Sequence, residues 1–223
     1  MRYDKIVYET KIRRKRWDAY TKFLLKNDCK FCKYAIRNGI ITQEEFKASM
    51  KNADHHFKYK RKVLAEVFSR VIGIKIICEM YGYRPSEIKH TPICCHYDLV
   101  TTDGKKFECK FRMCDNDQYD SDRIDDDKKE WNTTSTDDDV VLVYTFWDGI
   151  SRAYDMYNPS DIATWSKPKG SVDKFSSGYD VETVTKDTAE YLKDNCLWTT
   201  TIMIPPDLKK AYDEQGNSGP VPL

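Results

Sequence analysis

The feature that most constrains the fold is a change of hydrophobic period between residues 57 and 113. Residues 57–80 repeat apolar side chains at helical spacing, which predicts a long amphipathic helix. From Ile93 onward apolar and polar residues alternate, which predicts strands over residues 93–101 and 106–113. A long helix followed by a hairpin favours a sheet with helices packed against it.

Local patterns predict further elements downstream. Val140–Trp147 is apolar enough for a buried strand, Ser151–Tyr157 fits its hairpin partner, and Thr199–Ile204 fits a late strand. Residues 115–139 are rich in Asp and include a predicted helix from about residue 122 to 131. The predicted fold class is therefore α/β (α+β), with a mixed central β-sheet flanked by helices and a helical extension at the N-terminus.

The chain divides into three predicted parts. Residues 1–56 form a basic helical N-terminal extension, in which Thr42-Gln43-Glu44-Glu45 has the form of a capping box. Residues 57–204 form the core. Residues 205–223 begin with two prolines, and we expect them to form a flexible tail.

Composition excludes several classes of protein. A chain of 223 residues suits one domain with a sizeable core. The longest apolar run is interrupted and no secretory signal is visible, so we expect no membrane span and a cytoplasmic location. Cys29 and Cys32 form a C-x2-C pair, and two alternatives stay open for it: a zinc site with His55 and His56, or ordinary packing.

Charge is distributed unevenly along the chain. The net charge is only +1, yet residues 1–75 contain 20 Lys and Arg against 8 Asp and Glu. Such a basic segment would attract phosphates, although a plain solvated surface is an equal alternative. The candidate nucleic-acid contacts are Arg13, Arg14, Lys15, Arg16, Lys60, Arg61, Lys62 and, from the later strand, Arg112.

The predicted strand 106–113 has one apolar and one charged face. Alternate residues of a strand share a face, so Phe107, Cys109 and Phe111 would point to the core. Glu108, Lys110 and Arg112 would then occupy the opposite face. Asp98 precedes Glu108 by ten residues across a tight turn, which would bring two carboxylates together on adjacent strands.

The loop length decides whether these carboxylates meet. A two-residue turn would pair Asp98 with Cys109 and set the carboxylates on opposite faces. A three-residue loop, Thr102-Asp103-Gly104, would pair Asp98 with Glu108, and such loops commonly place Gly in the left-handed conformation. We predict the odd register, or a bulge with the same effect.

Neighbouring carboxylates repel each other unless a cation lies between them. Hard oxygen ligands suit Mg²⁺, which can polarise a phosphate and lower the pKa of a bound water. Lys110 could then orient the attacking water or stabilise charge on the phosphate. Asp98, Glu108 and Lys110 are therefore the predicted catalytic residues for phosphodiester hydrolysis.

This arrangement resembles the PD-(D/E)xK nuclease superfamily, which has the restriction-endonuclease-like fold. Asp98 matches the strand Asp of the motif, Glu108-Cys109-Lys110 matches its second part, and Tyr97 stands where the pattern has Pro. The resemblance spans roughly residues 57–157. It implies a core of a helix, three strands, a helix and a further strand.

The resemblance also implies ligands and partners. It adds Glu66 of the long helix as a fourth catalytic residue and metal ligand beside Asp98 and Glu108, and the Cys109 carbonyl as a further ligand. Mg²⁺ is the implied cofactor, with Mn²⁺ as a substitute. DNA is the implied partner, and a homodimer like that of many restriction enzymes stays open.

Three functions remain as alternatives. The first is a metal-dependent endonuclease acting on DNA, such as a type II restriction endonuclease. The second is a structure-specific or recombination nuclease of a phage or mobile element, similar to a junction resolvase. The third is a catalytically silent nucleic-acid-binding protein on the same fold, against which the intact Asp, Glu and Lys argue.

Overall fold

A computed structural model of the protein describes residues 2–49, 53–93, 95–117, 121–124, 140–155, 162–166, 188–192 and 196–214. Its helices account for most of the N-terminal half and recur once near the C-terminus. They are α1 (Arg2–Lys26), α2 (Asp28–Arg37), α3 (Gln43–Ser49), α4 (Ala53–Tyr81) and α5 (Pro206–Asp213).

The strands form two sheets in the described part of the chain. They are β1 (Ile88–His90), β2 (Leu99–Thr101), β3 (Lys106–Phe111), β4 (Ser121–Ile124), β5 (Val140–Thr145), β6 (Ile150–Asp155), β7 (Ile162–Ser166), β8 (Thr188–Leu192) and β9 (Trp198–Thr201). The larger sheet has six strands in the order β1-β2-β3-β5-β6-β9, and the smaller has the order β4-β8-β7. In the larger sheet β3 and β5 are parallel, and every other neighbouring pair is antiparallel.

Strand β5 is buried on both faces of the larger sheet. Val141 and Val143 belong to a core that also contains apolar residues of α1, α2 and α4. Leu142 and Tyr144 belong to a second core on the opposite face, together with Tyr154 of β6. A strand that is apolar at all but its last position, Thr145, is expected where both faces of a sheet are covered.

Helix α4 lies unusually close to β3 at one point. Gly73 faces Cys109, and a Cβ added to Gly73 would lie 2.3 Å from the Cys109 Sγ atom. Only a residue without a side chain permits this approach. The contact sets the distance between α4 and β3, and therefore between Glu66 and the β3 residues.

Several predictions are confirmed. The sheet is mixed and flanked by helices, as the predicted coarse fold class requires. The helix predicted over residues 57–80 lies within α4. The capping box is present, because Thr42 N–H donates to Glu45 Oε2 at 2.7 Å and Glu45 N–H donates to Thr42 Oγ1 at 3.1 Å.

Other predictions require correction. The strand predicted over residues 93–101 is confined to Leu99–Thr101, because Ile93 bonds instead to the Ile40 carbonyl before α3, at 2.8 Å. Strand β1 was not predicted, since three residues are too few for a visible alternation. The helix predicted from residue 122 begins in a segment that forms β4, and its residues 125–131 lie outside the described residues.

The C-terminal segment also differs from the sequence expectation. Residues 206–213 form α5 rather than part of a flexible tail, and Leu208 is completely buried there. Pro206 starts the helix, where a missing N–H costs nothing. Leu208, Ala211 and Tyr212 share a face that packs on the main core.

The N-terminal extension shares the core of the rest of the protein. Ala19, Tyr20 and Leu24 of α1 are buried in the same cluster as Val67 of α4. The predicted boundary between residues 56 and 57 falls inside α4. No helix among the described residues is long and apolar enough to cross a bilayer, and the cytoplasmic location stays a prediction.

The close approach of α4 and β3 makes a stability prediction. We expect Gly73→Ala to lower the free energy of unfolding by about 1–3 kcal/mol, the usual cost of overpacking a core. The clash with Cys109 Sγ outweighs the gain of about 1 kcal/mol in helix propensity. Urea unfolding measures the change.

A second substitution separates the clash from other effects. In a Cys109→Ala background, Gly73→Ala should cost much less, because the Sγ atom is gone. If Gly73→Ala is as stable as the wild type, the close approach does not set the position of α4.

Candidate active site

The hairpin between β2 and β3 has the predicted odd register. Leu99 pairs with Phe107 and Val100 pairs with Lys106. Three residues, 102–104, form the loop, and Gly104 has a φ of 92°. The pairing ends at Leu99, and the Asp98 N–H donates at 2.8 Å to the carbonyl of Phe107, which is already the partner of Leu99. Asp98 therefore lies just before the paired residues of β2, and its pairing with Glu108 stays a prediction.

The two faces of β3 are also as predicted. Phe107 and Cys109 are buried in the core under α4, and Phe111 packs against it. Glu108 and Lys110 lie on the other face, next to Leu142 and Tyr144 of β5 in register. Glu108 is nonetheless 1% exposed, so it is a buried carboxylate rather than a surface residue.

Asp98 is tied to both neighbouring elements. Its Oδ2 accepts a hydrogen bond from the Cys109 N–H at 2.7 Å, and its Oδ1 lies 3.1 Å from the Arg70 Nη2. Glu108 Oε1 forms an ion pair with Lys110 Nζ at 2.7 Å. Asp98 is thereby held between α4 and β3, while Glu108 and Lys110 pair with each other on the β3 face that is next to Leu142 and Tyr144 in register.

Arg70 joins the site to α4, although sequence reasoning did not include it among the site residues. Its side chain is completely buried, and its guanidinium contacts Glu66 Oε1 from Nε at 3.0 Å and from Nη2 at 2.9 Å. The Arg70 Nη1 donates to the Thr91 carbonyl at the end of β1. The spacing of four residues from Glu66 was the available signal, because such pairs share a helix face.

His90 lies beside this arginine at the end of β1. Its Nε2 lies 2.9 Å from the Tyr34 hydroxyl of α2. Burial and the charge of Arg70 lower the pKa of His90 to about 4. The imidazole is therefore neutral at physiological pH and adds no charge to the site.

Crowding of the carboxylates shifts their proton affinities. Burial raises the pKa of Asp98 well above its usual range, and the charges of Glu108 and Glu66 raise it further. Burial also raises the pKa of Glu66, but its hydrogen bond with Asp98 and the charges of Arg70 and Lys110 bring it below its usual value. The two carboxyl groups thus differ in the direction of their pKa shifts, upward for Asp98 and downward for Glu66.

Lys110 is held as an ammonium ion by the same carboxylates. Burial lowers its pKa, but the charges of Glu108, Asp98 and Glu66 raise it by more, and the net shift is upward. The Lys110 side chain remains 27% exposed. It can therefore present a positive charge to an anion that approaches from solvent.

The donor atoms suit a hard divalent cation. Glu66, Asp98 and Glu108 offer carboxylate oxygens, and the mutual repulsion that raises the Asp98 pKa is the repulsion a cation would relieve. Within the described residues, no three His, Cys, Asp or Glu side chains already form a metal-binding arrangement. Arg70 and Lys110 instead occupy the carboxylate oxygens by ion pairing.

Cys109 contributes through its backbone. Its thiol is 4% exposed, and burial followed by the charge of Asp98 raises the thiol pKa well above the usual value. The thiol is therefore protonated and is a poor ligand. The Cys109 N–H orients Asp98, while the suggested role of the Cys109 carbonyl stays a prediction.

The candidate nucleic-acid contacts of the N-terminal segment lie in different surroundings. Arg16 donates to Asp115 Oδ2 at 2.7 Å and to the Met113 carbonyl at 3.2 Å, so it connects α1 to the end of β3. Lys60 pairs with Asp28 of α2. These contacts give Arg16 and Lys60 structural roles.

The remaining candidates are more accessible. Lys62 and Arg14 are exposed, and Arg13 and Lys15 are half-buried. Arg61 lies over the Trp17 ring, 5.2 Å from its centroid. Arg112 donates to the Tyr144 hydroxyl at 3.0 Å and lies over that ring, next to Lys110 on β3.

Comparisons with known proteins do not identify a relative. No protein-family model matches the chain. Searches of curated proteins and of solved structures find no significant similarity. The site must therefore be interpreted from its own geometry and chemistry.

The raised pKa of Asp98 predicts a pH-dependent stability. Between the ordinary value of 3.8 and the raised folded value, the folded state binds more protons than the unfolded state, so the free energy of unfolding falls as pH rises. Asp98→Asn removes this titration. In EDTA, we expect the variant to gain stability over the wild type as pH increases through that window.

Thermal unfolding at a series of pH values measures this difference. Asp103→Asn is the matched control, because Asp103 is exposed and the pKa of Asp103 is lowered by hydrogen bonds with Thr101 and Tyr83. Relative to the wild type, Asp103→Asn should lose stability as pH increases. If the melting temperatures of wild type and Asp98→Asn depend on pH in the same way, the pKa of Asp98 is not raised in the folded protein.

Proposed function

We propose that the protein is a Mg²⁺-dependent nuclease that hydrolyses phosphodiester bonds in DNA. The observation that carries the proposal is the network in which Arg70 joins Glu66 of α4 to Asp98 before β2, with the Glu108–Lys110 ion pair on β3 close enough for the charge of Glu108 to raise the pKa of Asp98. Three carboxylates beside a protonated lysine are suited to phosphate chemistry.

The order of elements also supports the proposal. Helix α4 is followed by the antiparallel strands β1, β2 and β3, and then by β5, which is parallel to β3. This agrees with the helix, three strands and further strand that the PD-(D/E)xK resemblance implies. Membership of that superfamily, the restriction-endonuclease-like core and its second helix remain part of the proposal.

The charges of the site fit a phosphodiester substrate. Three carboxylates and the two cations Arg70 and Lys110 give a formal charge of minus one. A bound divalent cation would make the site plus one, which complements a single phosphodiester. Mg²⁺, with Mn²⁺ as a substitute, would supply an activated water and a polarised phosphate there.

Each residue then has a distinct role. Asp98 and Glu108 would hold the cation, with Glu66 as the third carboxylate from α4. Because its pKa is raised, Lys110 acts as a fixed positive charge on the phosphate rather than as a base. Arg70 positions Glu66 and Asp98 by contacting both.

Cleavage of DNA tests the proposed activity. With Mg²⁺, the wild type should cut plasmid or oligonucleotide DNA, and Asp98→Asn and Lys110→Met should each lower the rate by about 100-fold or more, as loss of one transition-state contact does. Lys89→Met is the matched control for Lys110→Met, because Lys89 is an exposed strand lysine on β1. Undiminished cutting by both site variants would refute the assignment.

Metal binding separates catalysis from binding alone. The second candidate is a catalytically silent nucleic-acid-binding protein on the same fold. The pairing of the carboxylates with Arg70 and Lys110 favours this candidate. If the enzyme assignment holds, Mg²⁺ or Mn²⁺ should give a saturable heat signal on calorimetric titration and raise the melting temperature of the wild type but not of Asp98→Asn. Binding of DNA without any metal response would favour the silent protein.

A further inference from the structure

A groove between α1 and α4 lies next to the candidate active site. It encloses about 150 Å³ and is lined by Trp17, Tyr20, Thr21, Leu24, Arg61, Lys62 and Ala65. Ala65 directly precedes Glu66, and burial followed by the charge of Glu66 raises the pKa of Tyr20.

The lining combines an aromatic ring with two cations. Trp17 is half-buried, and the Arg61 guanidinium lies 5.2 Å from its ring centroid. Lys62 is exposed at the rim and lies one helical turn before Glu66 on α4. A ring for stacking and cations for phosphate are the two elements of sites that bind single strands.

The size and lining favour one occupant. Small-molecule pockets usually enclose roughly 300–1,000 Å³, so this groove suits a single ring system. A paired base cannot reach an indole inside a groove, because the duplex presents its phosphates and sugars outward. An unpaired base can stack there while its phosphate contacts Arg61 or Lys62.

We propose that the α1–α4 groove binds one unpaired nucleotide of the substrate, with its base against Trp17 and its phosphate at Arg61 and Lys62. This inference rests on the proposed function, because it takes a nucleic acid as the substrate. It favours DNA with single-stranded parts, such as overhangs, flaps or junctions, over a fully paired duplex.

Binding in the Asp98→Asn background tests the groove without requiring cleavage. Fluorescence anisotropy compares a labelled duplex that has a single-stranded overhang with a blunt duplex of the same paired sequence. Trp17→Met keeps apolar volume but removes the ring, and it should weaken overhang binding by about tenfold while leaving blunt-duplex binding within about twofold. Trp17→Phe should restore most of the loss.

The cation contribution needs its own variant and control. Lys62→Ala should weaken binding of the overhang substrate by several-fold and reduce its salt dependence by about one charge. Lys75→Ala removes another exposed lysine of α4, outside the groove lining, and should change neither quantity. Circular dichroism melting confirms that each variant is folded.

The outcomes distinguish this inference from the proposed function. Equal losses for overhang and blunt duplex, or no loss with Trp17→Met, would overturn the groove assignment. If Trp17→Phe fails to recover binding while both variants are folded, stacking is also rejected. Selective overhang binding by a wild type that never cuts DNA would support the groove and refute the nuclease.

Discussion

The buried guanidinium of Arg70 is the interaction on which the site depends. It contacts Glu66 on its own helix, Asp98 before β2 and the Thr91 carbonyl after β1. A buried charge is costly unless it is paired and hydrogen-bonded, and removing one partner leaves the others uncompensated. Because these contacts can all be made together only in one arrangement, Arg70 fixes the position of α4 relative to the ends of β1 and β2.

Packing and strand register reinforce that position independently of charge. Gly73, three residues after Arg70, lets α4 approach Cys109, whose N–H in turn orients Asp98. The three-residue loop that ends in Gly104 pairs Leu99 with Phe107, so that Asp98 directly precedes the paired residues. A shift of one residue in this pairing would turn every side chain of one strand to the opposite face relative to the other strand.

The short-range features of the site could be predicted from the sequence because their signals are local. The alternation around Glu108, the loop length before Lys105 and the helical spacing around Glu66 each act within one or two elements. The role of Arg70 depends on Thr91 and Asp98, which are 21 and 28 residues away, and no pattern of spacing shows such contacts. The same limitation hid Trp17, whose partner Arg61 lies on another helix.

The electrostatics of the site explain the free-energy cost of burying these carboxyl groups and what a bound cation would change. The raised pKa of Asp98 means that the folded protein holds a carboxyl group where its ionised form is disfavoured. Arg70 and Lys110 offset two of the three negative charges and leave one uncompensated. Under the proposed function, that residual charge would attract a cation, and the neighbouring arginine and lysine would repel it. Such a site would gain its full stability only when cation and phosphate were both present, which would favour binding of substrate over permanent binding of metal.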